Sequence, residues 1–366
     1  MRTTPLFLAV VLALAGCAEA PAQGCRVGFD IGSSGIRVGA TSGDVHGRVS
    51  VDYLSDVWAD NVIDDTVDAT ATALRELAPR RDCTALAGGY SAWRLAAEKG
   101  GPDKVADTLG ELHRRTGAYV FVIPQGVEGS YGYLAAKQQL GDRLTTPFIL
   151  DVGGGSLQLA SAQTGWGTAL GQKAWRKLFC AQIKASGNPS CTTNPVGARA
   201  VEQSAQILSG EMSAAKAALG TGFAVTAIST PVVHGVHPIL ASLSQRHAIA
   251  GQVDSAGFDR AALDSAIALL ADKDDAAILR QLDGCRHGTC TERFAATFVT
   301  DMLLVRSFMA GLEVTRMDVA EADVTNVPGI LADQRALAWT KAYPCYLVRL
   351  RAQGVEAYTS DPRTCN

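Results

Sequence analysis

The chain has 366 residues, a formal net charge of −3, and 47% hydrophobic against 19% charged residues. That balance excludes a chain disordered throughout and suits two domains with sizeable cores. No basic run stands out, which argues against nucleic acid or an anionic membrane surface as the main partner.

The first predicted element is a processed leader. Arg2 is the only charge ahead of the apolar stretch Leu6–Ala15, which is too short to span a bilayer. It runs into Leu14-Ala15-Gly16-Cys17, which resembles a bacterial lipoprotein cleavage site with Cys17 lipidated. Residues 1–17 are then signal and anchor, and Ala18 resembles outer-membrane sorting. An ordinary secretory signal cut near Ala18–Ala22 is the plainer alternative. Both place the protein outside the cytoplasm. The lipid reading makes it periplasmic and held to the outer membrane, with no other membrane contact.

Strands are expected over Arg26–Ile31, Ile36–Thr41 and Arg48–Tyr53, then an amphipathic helix over Ala59–Leu77 ended by Pro79. A strand over Ala85–Gly89, a helix over Pro102–Arg115, a strand over Tyr119–Ile123 and a helix over Val127–Gln139 follow. The scheme then restarts. Phe148–Asp151, Leu157–Ala162 and Thr168–Leu170 read as strands, Lys173–Ile183 as a helix and Phe223–Ser229 as a strand. Phe258–Leu269 and Phe294–Leu312 read as helices, and Met317–Ala320 as a strand leading into Val327–Ala332. This is an α/β chain with one topology used twice and the ligand between the copies. The expected units are residues 25–124 and 125–335, with a disulfide-pinned extension over 336–366.

The cysteines agree with export. Apart from Cys17, eight remain, and an even number outside the cytoplasm suggests disulfides. Spacing suggests Cys285–Cys290, Cys180–Cys191 and Cys345–Cys365. Cys25 and Cys83 are left, each five residues before the end of an apolar strand, where they could join the starts of two neighbouring parallel strands. Zinc held by Cys285, Cys290 and His287 is the alternative for that pair.

The chemistry-bearing pattern is a glycine loop that occurs twice, as Phe29-Asp30-Ile31-Gly32-Ser33-Ser34-Gly35 and as Leu150-Asp151-Val152-Gly153-Gly154-Gly155-Ser156. Each copy is a strand, an Asp, a tight turn and a second strand. Glycines let bare N–H groups approach an anion, and an Asp at a strand end can hold a divalent cation. Between the loops, Glu128 falls in the first turn of a helix after Gly126. The helix dipole there should lower its pKa and keep it ionised, fit to activate a water; a plain helix-capping role is the alternative. Arg94, after Tyr90-Ser91-Ala92-Trp93, could bind a phosphate or simply open a helix at the surface. Ser33, Ser34 and Ser156 read as hydroxyl donors to phosphate or metal, and His234 and His237 as loop residues rather than ligands.

Asp30-Ile-Gly-Ser-Ser-Gly-Ile-Arg37, Ser91-Ala-Trp-Arg94, Gly126-Val-Glu128 and Asp151-Val-Gly-Gly-Gly-Ser156 resemble the Ppx/GppA exopolyphosphatase and guanosine pentaphosphatase family, within the actin-like ATPase superfamily. Met317–Leu331 is similar to that family's closing segment, so the resemblance spans roughly residues 26–335. It implies two ribonuclease-H-like domains flanking a cleft, Asp30 and Asp151 holding Mg²⁺ or another divalent cation, and Gly32, Ser33, Ser34, Arg94, Gly153, Gly154, Gly155 and Ser156 holding phosphates. Glu128 is implied as the base, and polyphosphate or a nucleotide polyphosphate as the substrate. Gln158 stands where the exopolyphosphatases carry Glu, Val127 where they carry a second acid, and Ile228-Ser229-Thr230 where they carry Gly-Gly-Thr. Glu128–Ala136 and Gly155–Gln158 look more like the apyrases, the nucleoside triphosphate diphosphohydrolases. The expected function is hydrolysis of phosphoanhydride bonds. An apyrase-like activity and a non-catalytic phosphate-ligand binder or sensor are the alternatives.

Overall fold

A computed structural model describes residues 24–33, 35–41, 46–53, 67–77, 83–188, 191–281, 295–322 and 324–365. The leader with Cys17, Ser34, and Cys285–Cys290 with His287 lie outside the described residues.

The first sheet holds β1 (Arg26–Gly32), β2 (Gly35–Ala40), β3 (His46–Val49), β4 (Thr84–Gly89) and β5 (Tyr119–Val122), in the order β3-β2-β1-β4-β5. β1 runs antiparallel to β2 and parallel to β4, and β4 parallel to β5. β1 is central, and every residue from Arg26 to Ile31 is buried in it. Such continuous burial is what a strand covered on both faces requires.

The second sheet holds β6 (Phe148–Val152), β7 (Leu157–Ala160), β8 (Gly165–Thr168), β9 (Val225–Ala227), β10 (Val253–Asp254), β11 (Gly257–Asp259) and β12 (Arg316–Val319). Its order is β10-β11-β12-β9-β6-β7-β8. β6 pairs antiparallel with β7 and parallel with β9, and β9 pairs parallel with β12. From β8 to β12 this repeats the first sheet strand for strand, and the β10–β11 hairpin extends its edge. The expected α/β fold of two like sheets is therefore the observed one. In both copies the Asp-bearing loop leaves the end of the central strand.

The C-terminal stretch returns to the first sheet. Ile330, Trp339, Tyr343, Tyr346 and Tyr358 belong to its hydrophobic core, along with Phe29, Trp93 and Phe121. The Tyr343 hydroxyl donates to the Val120 carbonyl at 2.9 Å, and the Tyr346 hydroxyl accepts the Val122 N–H at 2.8 Å. These bonds satisfy the open edge of β5, which would otherwise present unpaired backbone groups. Tyr131 and Tyr358 both donate to Asp333 Oδ2, at 2.5 and 2.9 Å. That network ties the tail to the helix Gln125–Leu140.

Several elements differ from expectation. The helix Ala198–Leu219 was hidden in sequence because its buried stripe is Ala200, Ser204, Leu208, Met212 and Ala215, mostly small or polar residues. His234 and His237 lie in helical turns rather than a loop. Pro231 opens this helical stretch, where a missing N–H costs nothing, and Pro238 falls where its wider first turns pass into the helix His237–Gln245. The segment expected as a helix from Phe258 begins as β11, with the helix Arg260–Leu270 capped by Asp259 Oδ1, which accepts the Ala262 N–H at 2.8 Å.

Cys25 is bonded to Cys83, Cys180 to Cys191 and Cys345 to Cys365, with Cα separations of 4.6, 5.9 and 6.0 Å. The first bridge joins the starts of β1 and β4, next to the Arg26–Thr84 register pair. Peptide mapping without reductant should recover these three links, and free thiols at Cys25 and Cys83 in freshly isolated protein would contradict the assignment. Removing a native disulfide from a small secreted domain typically costs about 2–5 kcal/mol.

Candidate active site

The two acid-tipped loops meet across one cleft of about 680 Å³ between the sheets. Asp30, Gly32 and Ser33 line it from one side, and Asp151, Gly153, Gly154 and Ser156 from the other. A methyl placed on Gly154 would come 3.6 Å from Ser33 Oγ, so the turns approach each other directly. Glu128 reaches the same cleft from the first turn of its helix.

Asp30 is buried near the end of β1, and its Oδ2 accepts the Asn326 N–H at 2.9 Å. Burial raises its pKa, against the pull of that bond and of Arg37, whose Nη1 is 3.8 Å away. Burial also pushes Asp151 up to about 6, and the charge of Asp30 adds to the rise. The two carboxylates thus sense each other across the gap. Two like charges held this way in a partly dry cleft invite a cation between them.

Glu128 departs from expectation. Burial pushes it up to about 7, although Arg94 pulls the other way. Desolvation outweighs the helix dipole, which acts near the surface with less than a full charge. Arg94 Nη2 lies 2.7 Å from Glu128 Oε2, and Arg94 Nη1 donates to the Ile123 carbonyl at 2.8 Å. Arg94 therefore grips the expected base. With Gly155 it lines an adjoining cavity of about 600 Å³ on the far side of Ser156. Gln158 holds the carboxylate from the other side: its Nε2 donates to Glu128 Oε2 at 3.1 Å and to Ser156 Oγ at 2.8 Å. One amide thus links the expected base to the second glycine loop.

No family model matches the chain, and no curated protein matches it. Solved structures do. Two structures of the Aquifex aeolicus Ppx/GppA phosphatase superpose with TM-scores of 0.57 and, for a type II variant, 0.55, each at 16% identity. They cover 87% and 84% of this chain and 98% of theirs. An exopolyphosphatase-like protein matches with a TM-score of 0.51 at 16% identity, covering 84% of this chain and 96% of its own. The chain has the Ppx/GppA fold.

Within this Ppx/GppA fold the cleft carries side chains to which sequence reasoning gave no role. Arg37 and Arg48 sit directly across from each other on β2 and β3, and both line the cleft, as do Lys173 and Arg176. Like charges facing across strands destabilise a sheet unless an anion joins them. Strands and a helix therefore supply the basic groups that the glycine loops lack. Only the pairing register could have revealed the Arg37–Arg48 pair. Ser229 and Thr230 also line the cleft, and Ser229 Oγ accepts the Val152 N–H at 2.9 Å beside the second loop.

Proposed function

We propose that the protein hydrolyses phosphoanhydride bonds at the end of a phosphate chain. The observation that carries this reading is the convergence of Asp30, Asp151 and Glu128 on one cleft that also holds Arg37, Arg48, Lys173 and Arg176. Glu128 accepts a proton from a water, the water oxygen attacks the terminal phosphorus, and the anhydride P–O bond breaks to release orthophosphate and a chain one unit shorter. Positioning by the loop N–H groups and neutralisation by the basic side chains carry most of the rate enhancement.

A divalent cation fits the donor set. Among the described residues no group of three or more His, Cys, Asp or Glu is arranged to hold a metal. Mg²⁺ commonly takes only one or two carboxylates and completes its shell with water and substrate oxygens. Asp30 and Asp151 would hold it, and when bound it would neutralise charge on the phosphoryl oxygens. The disulfides support export, and we extend the reading to a periplasmic protein lipidated at Cys17.

The test is phosphate release, with Mg²⁺, from long-chain polyphosphate, tripolyphosphate, ATP, ADP and guanosine pentaphosphate. Four basic side chains in one cleft favour the inorganic chains. Preference for ATP and ADP would move the protein to the apyrase-like reading, and binding of all five without turnover would establish a non-catalytic binder.

A further inference from the structure

Tyr90 follows β4 directly and lines the cleft together with Asp30 and Glu128. It is 1% exposed, and its hydroxyl makes no hydrogen bond to any described protein group. Its place is unusual. Gly88 pairs with Asp30 in the parallel register, so side chains at the two positions share one face of the sheet. A methyl on Gly88 would fall 2.4 Å from Tyr90 Oη. The hydroxyl thus occupies the space of the missing Gly88 side chain, next to Asp30.

The hydroxyl bonds to neither neighbouring carboxylate. Asp30 Oδ2 takes the Asn326 N–H, and Glu128 Oε2 is held by Arg94 and Gln158. A phenol ordinarily ionises only at about pH 10, so at neutral pH the Tyr90 hydroxyl carries its proton and can donate it. A buried donor without an acceptor is costly, and native proteins keep few of them outside functional sites. An acceptor arriving in this cleft is, on the hydrolase reading above, a phosphoryl oxygen.

We propose that Tyr90 is a catalytic residue whose hydroxyl donates a hydrogen bond to a non-bridging oxygen of the phosphoryl group being transferred. Charge spreads over those oxygens in the loose transition state, so a fixed donor there acts more strongly on the transition state than on the bound substrate.

The test is Tyr90→Phe, which keeps the ring and removes only the hydroxyl. With tripolyphosphate as the probe, kcat should fall about 10- to 100-fold while KM stays nearly unchanged. The Tm of the variant without ligand should equal or exceed that of the parent, because an unbonded buried hydroxyl contributes nothing to folding. Parental kcat in the variant overturns the proposal. So does a marked fall in Tm, which would show that the hydroxyl is bonded inside the fold. A parent protein that hydrolyses none of the phosphate chains overturns the hydrolase reading and this proposal together, which separates the two failures.

Discussion

Replacing Glu128 with Gln should lower kcat by about 10²- to 10⁴-fold and leave substrate affinity nearly intact. The amide has the shape of the carboxylate and keeps an oxygen for Arg94, 2.7 Å away in the parent. It cannot take the proton of the attacking water. The parent should also show an acid limb in its rate. Glu128 must be ionised to act as base and carries a pKa raised to about 7 by burial. Activity should therefore climb as pH rises through about 7, and the residual rate of Glu128→Gln should lack that limb. Near-parental turnover in Glu128→Gln would falsify the assignment of the base. A limb that survives in the variant would assign the titration to another group, with Asp151, pushed up to about 6, next in line.

Asp30→Asn should abolish turnover yet give a more stable protein at pH 8 without metal. A carboxyl whose pKa is higher in the fold than in the unfolded chain contributes stability that is complete below its unfolded pKa and disappears as pH rises through its folded one. Asp30, Asp151 and Glu128 are all of this kind, with ordinary values of 3.8, 3.8 and 4.5 and folded values of about 6 for Asp151 and about 7 for Glu128. The stability that Asp151 and Glu128 contribute below about pH 4 is thus lost between about pH 4 and 7, and that of Asp30 is lost as pH rises through its own raised value. Asparagine removes one of the charges, keeps an oxygen for the Asn326 N–H and relieves Asp151. A Tm gain of about 2 °C or more at pH 8 follows. Mg²⁺ should raise the parent's Tm more at pH 8 than at pH 5, and should do little for Asp30→Asn. A variant that melts below the parent at pH 8 in chelator, or a parent indifferent to Mg²⁺ at that pH, would remove the acidic pair as a cation site.

Part of this site is legible in one dimension. A strand, an Asp and a glycine turn lie within seven consecutive residues in each copy, so local pattern suffices to find Asp30 and Asp151. Repetition of that pattern implies two like sheets. The offset of Cys25 and Cys83 from their strand ends also foreshadows the β1–β4 bridge, because parallel neighbours start together. Glu128 is found by the same logic, from a glycine turn ahead of a helix.

Other parts are not. Arg37 and Arg48 are eleven residues apart and face each other only through the β2–β3 register. Tyr90 reads as a spacer before Ser91 until Gly88 is seen to leave room for its hydroxyl beside Asp30. The chain beyond Val327 gives no sign that it returns to cover β5 and to anchor the helix bearing Glu128.

Short-range stereochemistry thus decided where the chain turns, which acids stand at the turns and that the plan is used twice, since glycine spacing and apolar runs act through neighbours in sequence. Whether those acids carry charge, which cations face them and which hydroxyl lies bare among them was settled by folding. Desolvation and Coulomb interaction depend on what surrounds a group in space, and residues far apart in the sequence surround these.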